Sequence, residues 1–116
     1  MDLNYYDDLP DGQRTKVEST DIYLAKPGQR LLGALNGVDK NSANLEINLN
    51  NTDVLEFTLN RIVDGEISSW YDFVERHYEL YVPKYGWFKI NEEPEVTNDG
   101  NLETKTVRAE SLEIEL

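Results

Sequence analysis

Two neighbouring segments near the middle of the chain alternate apolar and polar residues. In residues 44–50 and again in residues 54–63, nearly every second residue is apolar, beginning with Leu45 and Leu55. A two-residue period places the apolar side chains on one face of an extended strand and the polar ones on the other. The pattern therefore predicts two half-buried strands that form a long hairpin around a turn at residues 51–53.

Shorter apolar runs on both sides of this hairpin predict further strands, separated by turn residues. Pro and Gly fix or permit the backbone angles that tight turns require, and they stand between the runs at Pro27-Gly28 and between Pro83 and Gly86. We expect strands at residues 21–25, 30–35, 78–82, 87–90 and 102–116, with residues 91–101 as a loop. Near residues 110–111 the apolar positions change parity, which predicts a bulge or bend in the last strand.

One segment switches from the strand period to a helical one. Trp70, Phe73, Val74 and His77 are spaced i, i+3, i+4 and i+7, and Ser69 precedes them in a position typical of a helix cap. The spacing predicts one short α-helix over about residues 69–78. A lone short helix is stable only when it is docked, so we expect it to lie against the strands.

These elements indicate one mainly β domain, a small antiparallel β-barrel or sandwich with one short α-helix. The chain has 116 residues, enough for one core but too few for two of ordinary size. Residues 1–19 are polar and acidic, and we interpret them as an N-terminal arm that is either flexible or lies over a neighbouring surface. Residues 20–116 form the single domain, and because the sequence ends on an apolar strand residue we expect the natural protein to continue past Leu116.

The charge balance narrows the choice of partners. The chain has 23 acidic and 11 basic residues, for a formal net charge of −12. Nucleic acids and anionic lipid surfaces attract clustered Lys and Arg, so we expect no nucleic acid binding and no membrane binding. No apolar run approaches the roughly 20 residues that span a bilayer.

The residues that could carry chemistry do not combine into a recognisable site. His77 is the one histidine and cysteine is absent, which leaves no pair of such ligands or nucleophiles. The adjacent carboxylates Asp7-Asp8 and Glu92-Glu93 are expected from an acidic composition, and neighbours in sequence point in different directions. We therefore predict no catalytic residues, no metal site and no cofactor.

Aromatic residues are concentrated between residues 78 and 88. Alternation along a strand buries about half of such side chains, and the rest are available to a carbohydrate or a protein partner, since aromatics dominate binding surfaces. Tyr85 and Trp87, near the tip of the predicted hairpin, are the candidate interface residues.

An ordered set of short segments resembles the start of the tail-tip hub proteins of siphophages and prophages of Gram-positive hosts, the family often labelled tail-associated lysin or prophage endopeptidase tail. The segments are IYLAKP at 22–27, LNG at 35–37, LNNTDVLEFT at 49–58, YGWFKI at 85–90 and ETKTVRAESLE at 103–113. The resemblance covers roughly residues 20–116.

The resemblance implies a baseplate-hub-like domain with a structural role in the virion. Its partners would be the distal tail protein and, in the full-length protein, two further copies in a trimer. It would be assembled in the bacterial cytoplasm, and any endopeptidase or lysin activity would reside downstream. Two alternatives remain open at this point: a fragment of a tail-associated peptidoglycan hydrolase, or a host-carbohydrate-binding module.

Overall fold

Eleven strands and one short 3₁₀ turn make up the part of the chain that the computed structural model describes, residues 13–48, 52–100 and 102–112. The strands are β1 (Gln13–Lys16), β2 (Tyr23–Lys26), β3 (Arg30–Ala34), β4 (Asn44–Ile47), β5 (Val54–Asn60), β6 (Ile62–Val63), β7 (Glu66–Ile67), β8 (Glu79–Val82), β9 (Gly86–Lys89), β10 (Glu95–Asp99) and β11 (Leu102–Ser111). The 3₁₀ turn is Tyr71–Phe73. The predicted mainly β class is confirmed.

Nine of these strands form one antiparallel sheet in the order β1-β4-β5-β11-β9-β8-β2-β3. The ninth, β10, pairs with the first half of β11, while β9 pairs with its last residues. The small hairpin of β6 and β7 stands apart. Within the described ranges β1 and β3 do not pair with each other, so the sheet is open, which fits the sandwich form of the prediction rather than a closed barrel.

The core lies on one face of this sheet, as the two-residue alternation requires. In β5 the burial alternates strictly, with Leu55, Phe57 and Leu59 inside. Their partners across β11 are Ala109, Val107 and Lys105 in the same order, and the first two are buried. The predicted hairpin of the two alternating segments is confirmed, with Leu45 of β4 opposite Leu55.

The two predicted hairpins that flank it are also present. β2 and β3 are joined through a turn in which Gly28 has a φ of 91°, a conformation that favours glycine. β8 and β9 are joined through a turn that ends at Gly86, whose φ is 100°. Because β2 also pairs with β8, the two hairpins form one half of the sheet.

The predicted α-helix over residues 69–78 is wrong. The segment contains only the 3₁₀ turn, because Trp70 before it and His77 after it have φ values of 64° and 81°, which an α-helix does not admit. The expected apolar stripe is divided: Val74 is buried, while Phe73 and His77 are exposed. Ser69 does not cap a helix, and its backbone N–H instead donates to Asn36 Oδ1 at 2.7 Å.

Two other differences concern segments with little apolar patterning. The predicted loop at 91–101 contains the strand β10, whose five residues are all exposed and which forms by backbone pairing with β11. In the predicted arm, residues 13–16 form β1 against β4. The arm before residue 13 and the predicted strand after residue 112 lie outside the described residues.

Candidate functional site: two exposed surfaces

The outer face of the β2-β8-β9 half of the sheet has a row of three aromatic side chains. Tyr23, Tyr81 and Trp87 occupy opposing register positions on the three strands. The Tyr23 and Tyr81 rings lie 6.5 Å apart and the Tyr81 and Trp87 rings 4.9 Å apart, measured between centroids. All three are half-buried, because they shield one another while their core-facing neighbours fill the interior. We call this the aromatic row.

The two residues predicted as an interface differ in their surroundings. Trp87 belongs to the aromatic row. Tyr85 lies in the β8–β9 turn, where its backbone N–H donates to the Val82 oxygen at 2.8 Å and its side chain packs against the core. The row is completed by Tyr81, which belongs to the aromatic run between residues 78 and 88, and by Tyr23, which the sequence pattern missed because its alignment depends on the pairing of β2 with β8.

The second surface consists of aliphatic side chains on and beside the β6–β7 hairpin. Ile62 and Ile67 are opposite each other in the β6–β7 hairpin, with 43% and 50% of their surfaces exposed. Ile62 also lines a shallow groove with Leu102, which is 67% exposed. Asp64 and Gly65 form the tight turn of the hairpin, both with positive φ. Three branched side chains thus face solvent together.

Two segments that contact each other around this aliphatic cluster contain no basic residue. Residues 62–75 and 90–104 have nine acidic side chains and no Lys or Arg. Of the six large apolar side chains that are exposed in the described ranges, five lie in these segments: Ile62, Ile67, Phe73, Val96 and Leu102. We call the surface formed by residues 62–75, 90–100 and 102–104 the acidic–apolar surface.

A partly buried hydrogen-bond network holds the two segments together. The Lys105 ammonium donates to the backbone oxygens of Tyr71 at 2.7 Å and Val74 at 3.1 Å, and it lies 4.4 Å from the centre of the Tyr71 ring. The Tyr71 hydroxyl donates to Glu103 Oε2 at 2.9 Å, and the Arg61 guanidinium lies 4.0 Å from the same oxygen. This network fixes the 3₁₀ turn on β11.

The network shifts the pKa values of both central groups. Burial raises the pKa of Tyr71 far above its ordinary value, and the hydrogen bond to Glu103 and the charge of Glu103 add to the effect, because a phenolate would lose solvation and would face a carboxylate. Burial lowers the pKa of Lys105, while the charges of Asp72, Glu75, Glu93 and Glu103 oppose that change. The proximity of these carboxylates shows how densely the acidic–apolar surface is charged.

Glu79 is a buried carboxylate with a structural role. Its two oxygens accept hydrogen bonds from the backbone N–H groups of Gly28 at 3.2 Å and Gln29 at 2.9 Å, across the sheet in the β2–β3 turn. Burying a carboxylate is costly unless it is hydrogen-bonded, and both oxygens are engaged here. Glu79 is also the one acidic residue in β2, β3, β8 and β9, so the half of the sheet with the aromatic row exposes no strand carboxylate.

The other titratable candidates are dispersed. His77 is exposed, and its backbone N–H donates to the Ile90 oxygen. Glu92 and Glu93 are exposed, with Glu92 4.0 Å from Arg108 and Glu93 accepting from the Arg76 N–H. Asp7 and Asp8 lie outside the described residues. Across the described ranges, no group of three His, Cys, Asp or Glu side chains is arranged to hold a metal ion.

A search for membrane-spanning helices among the described residues finds no helix long and apolar enough to cross a bilayer. No family model, curated protein or solved structure matches this chain.

Proposed function

We propose that this domain is a structural component of a phage or prophage tail tip, a baseplate-hub-like module that acts through protein–protein contacts and turns over no substrate. Its partners in this proposal are the distal tail protein and further copies of the same protein, which form a trimer at full length. The setting is the virion tail, assembled in the bacterial cytoplasm.

The observation that supports protein contact most directly is the exposed aliphatic cluster of Ile62, Ile67 and Leu102. Burying one such side chain at an interface is worth about 1.5–3 kcal/mol relative to leaving it in water. A contiguous exposed apolar patch in a soluble domain is typical of an interaction site. Here the three side chains lie on adjacent backbone segments that hydrogen bonds hold in place, so the surface is preorganised for a partner.

Labelling of purified particles tests the proposal. Antibodies raised against this domain are applied to tail particles from the bacterium that encodes it, with gold detection in the electron microscope and mass spectrometry of the same sample. The proposal predicts that gold is located at the tail end distal to the capsid. Gold on the capsid, or intact particles whose proteins include no peptide of this chain, would overturn it.

The aromatic row favours a second candidate, a host-carbohydrate-binding module. Adjacent aromatic rings offer apolar faces on which sugar rings can stack, and Tyr and Trp retain a polar group for hydrogen bonding. Binding of solubilised peptidoglycan fragments, followed by tryptophan fluorescence, tests this function. It predicts that Trp87→Ala and Tyr81→Ala abolish binding while Tyr85→Phe, a change beside the core, preserves it; equal binding by all variants would reject it.

The hydrolase alternative has no support from the geometry of the described residues. A zymogram with bacterial cell wall distinguishes it, since a lytic band from residues 1–116 would contradict a non-catalytic role.

A further inference from the structure

The exposed apolar side chains of this chain are concentrated in segments that contain acidic residues and no basic ones. Residues 22–38 and 80–91 contain no acidic residue, whereas residues 62–75 and 90–104 contain no basic one. Five of the six exposed large apolar side chains in the described ranges lie in the base-free segments. These segments contain nine acidic residues, and the basic residues Arg61, Arg76 and Lys105 stand at their borders, so the exposed apolar side chains lie where negative charge is in excess.

Hydrogen bonds from the basic residues that border these base-free segments connect them to each other. The Arg61 backbone N–H donates to the backbone oxygen of Glu103 at 3.0 Å, and the Arg76 backbone N–H donates to the Glu93 side-chain oxygen Oε1 at 3.4 Å. Lys105, which lies between the segments, directs its ammonium to the Tyr71 and Val74 backbone oxygens. Its charge is therefore used inside the domain and does not offset the exposed carboxylates.

We infer that the acidic–apolar surface is a docking site for a polypeptide segment that is both basic and apolar. The inference rests on the proposed function and specifies the partner's chemistry. A second copy would present the same carboxylates and be repelled at this surface, and nucleic acids and anionic lipids are excluded for the same reason. A segment with Lys or Arg beside Leu or Ile complements both properties, because its apolar side chains cover the aliphatic cluster while its cations face Asp64, Glu66 and Asp99.

The geometry indicates where such a segment binds. The groove between Ile62 and Leu102 is lined by Asn60, Arg61, Glu103 and Thr104. Ile67 extends the apolar area to the other strand of the hairpin. The Asp64 and Glu66 side chains of the same hairpin are exposed, as is Asp99, which is opposite Leu102 in the β10–β11 pair. The Arg61 guanidinium in the groove lies 4.0 Å from Glu103 Oε2, so a bound chain would contact apolar side chains and this ion pair in the middle and exposed carboxylates at the edges.

A peptide titration followed by NMR tests the inference. The probe is a synthetic decapeptide of alternating lysine and leucine, added to the ¹⁵N-labelled chain at physiological salt. Two control peptides have the same length: alternating lysine and serine, which keeps the charge, and alternating glutamate and leucine, which keeps the apolar residues. We expect the lysine–leucine peptide to bind at least about tenfold more tightly than either control, with shift changes confined to residues 60–75 and 90–105.

Substitutions locate the site. Ile62→Ser combined with Leu102→Ser should weaken binding of the lysine–leucine peptide by about tenfold or more, because two contacts on the aliphatic cluster are lost. Leu31→Ser, which removes a leucine that is 55% exposed in the acid-free part of the chain, should change it less than about twofold. All three residues are exposed, and a thermal melt confirms that each variant is folded.

Two results would overturn the inference. One is equal affinity for the lysine–leucine and lysine–serine peptides, which would show general attraction to a chain of charge −12. The other is a shift pattern centred on carboxylates elsewhere, such as Glu46 and Glu56. If gold labels the tail tip but the peptide does not bind at this surface, the proposed function stands and the partner chemistry is rejected. If the peptide binds at this surface but gold labels another part of the particle, the partner chemistry stands and the proposed function is rejected.

Discussion

Tyr71 and Glu79 each make a side-chain hydrogen bond that connects distant parts of the fold. Each is buried, and each uses polar atoms that would be costly to leave without a partner. The sequence pattern identified neither, because a tyrosine and a glutamate among seven tyrosines and 23 acidic residues are not distinguishable by type. Their roles depend on which strands are neighbours in the sheet.

Tyr71 makes stability depend on pH in the alkaline range. In the unfolded chain a tyrosine loses its proton near pH 10, whereas the raised pKa of Tyr71 keeps it protonated in the folded state. Above pH 10 the unfolded state therefore binds fewer protons, and the free energy of unfolding falls by about 1 kcal/mol per pH unit from this group. Urea denaturation at pH 8 and pH 11 should show a steeper loss for the wild-type chain than for Tyr71→Phe.

Lys105 changes the free energy of unfolding in the opposite direction. Because its pKa is lower in the folded state, the folded chain binds fewer protons than the unfolded chain as the pH approaches the ordinary lysine pKa, and the folded state is favoured. It is present in both proteins, so the difference between them reports on Tyr71. Equal slopes for the wild type and Tyr71→Phe would contradict a protonated, buried phenol.

Glu79 should be required for the β2–β3 turn. Glu79→Ala leaves the Gly28 and Gln29 backbone N–H groups without their carboxylate acceptor, and we expect a loss of about 1–3 kcal/mol in the free energy of unfolding. Glu79→Gln keeps one oxygen acceptor and should cost less. Glu95→Ala, which removes an exposed carboxylate on β10, is the control and should change stability by less than about 0.5 kcal/mol. A cost for Glu79→Ala as small as that of the control would show that the hydrogen bonds contribute nothing.

Among the elements, the strands that follow a strict two-residue alternation were predicted well, and the short polar ones were not. β4 and β5 have the burial that the pattern indicates, because one face of each is covered by core residues. β10 was predicted as a loop, since a strand stabilised by backbone pairing alone leaves no apolar period in its sequence. The helical spacing at residues 70–77 was misleading because Tyr71, rather than Trp70 or Phe73, is the aromatic residue that enters the core.

Two glycines hold elements close together and should differ in their tolerance of a methyl group. A Cβ at Gly37 would lie 2.5 Å from the Asn60 backbone oxygen and 2.6 Å from Ser68 Oγ, whereas at Gly33 it would lie 2.7 Å from Trp70 Nε1. A backbone oxygen in a strand cannot move away as a side chain can. We expect Gly37→Ala to cost about 1–3 kcal/mol and Gly33→Ala less, measured by urea denaturation.

The Gly33 effect should depend on Trp70. Combining Gly33→Ala with Trp70→Phe, a smaller ring, should cost less than the sum of the two single changes. Two results would show that these close approaches do not limit the packing. One is a larger stability loss for Gly33→Ala than for Gly37→Ala, and the other is a Gly33→Ala/Trp70→Phe double variant whose loss equals the sum of the two single losses.

At the scale of the whole molecule, charge and exposed apolar surface separate into distinct regions. The sequence alone predicted Trp87 as an interface residue but missed the aliphatic cluster, since Ile62 fell in a segment predicted as one continuous strand. The strand β5 ends at Asn60, and the chain then forms the separate β6–β7 hairpin. That change of direction exposes Ile62 and Ile67, and no local period in the sequence encodes it.

We propose that the acidic–apolar surface is buried against another protein in an assembled phage tail. Hydrogen–deuterium exchange compares the isolated domain with the same chain in purified tail particles. We predict that amides at residues 60–67 and 102–104 exchange at least about tenfold more slowly in the particles than in the isolated domain. Equal exchange rates at these residues in the two samples would contradict the account.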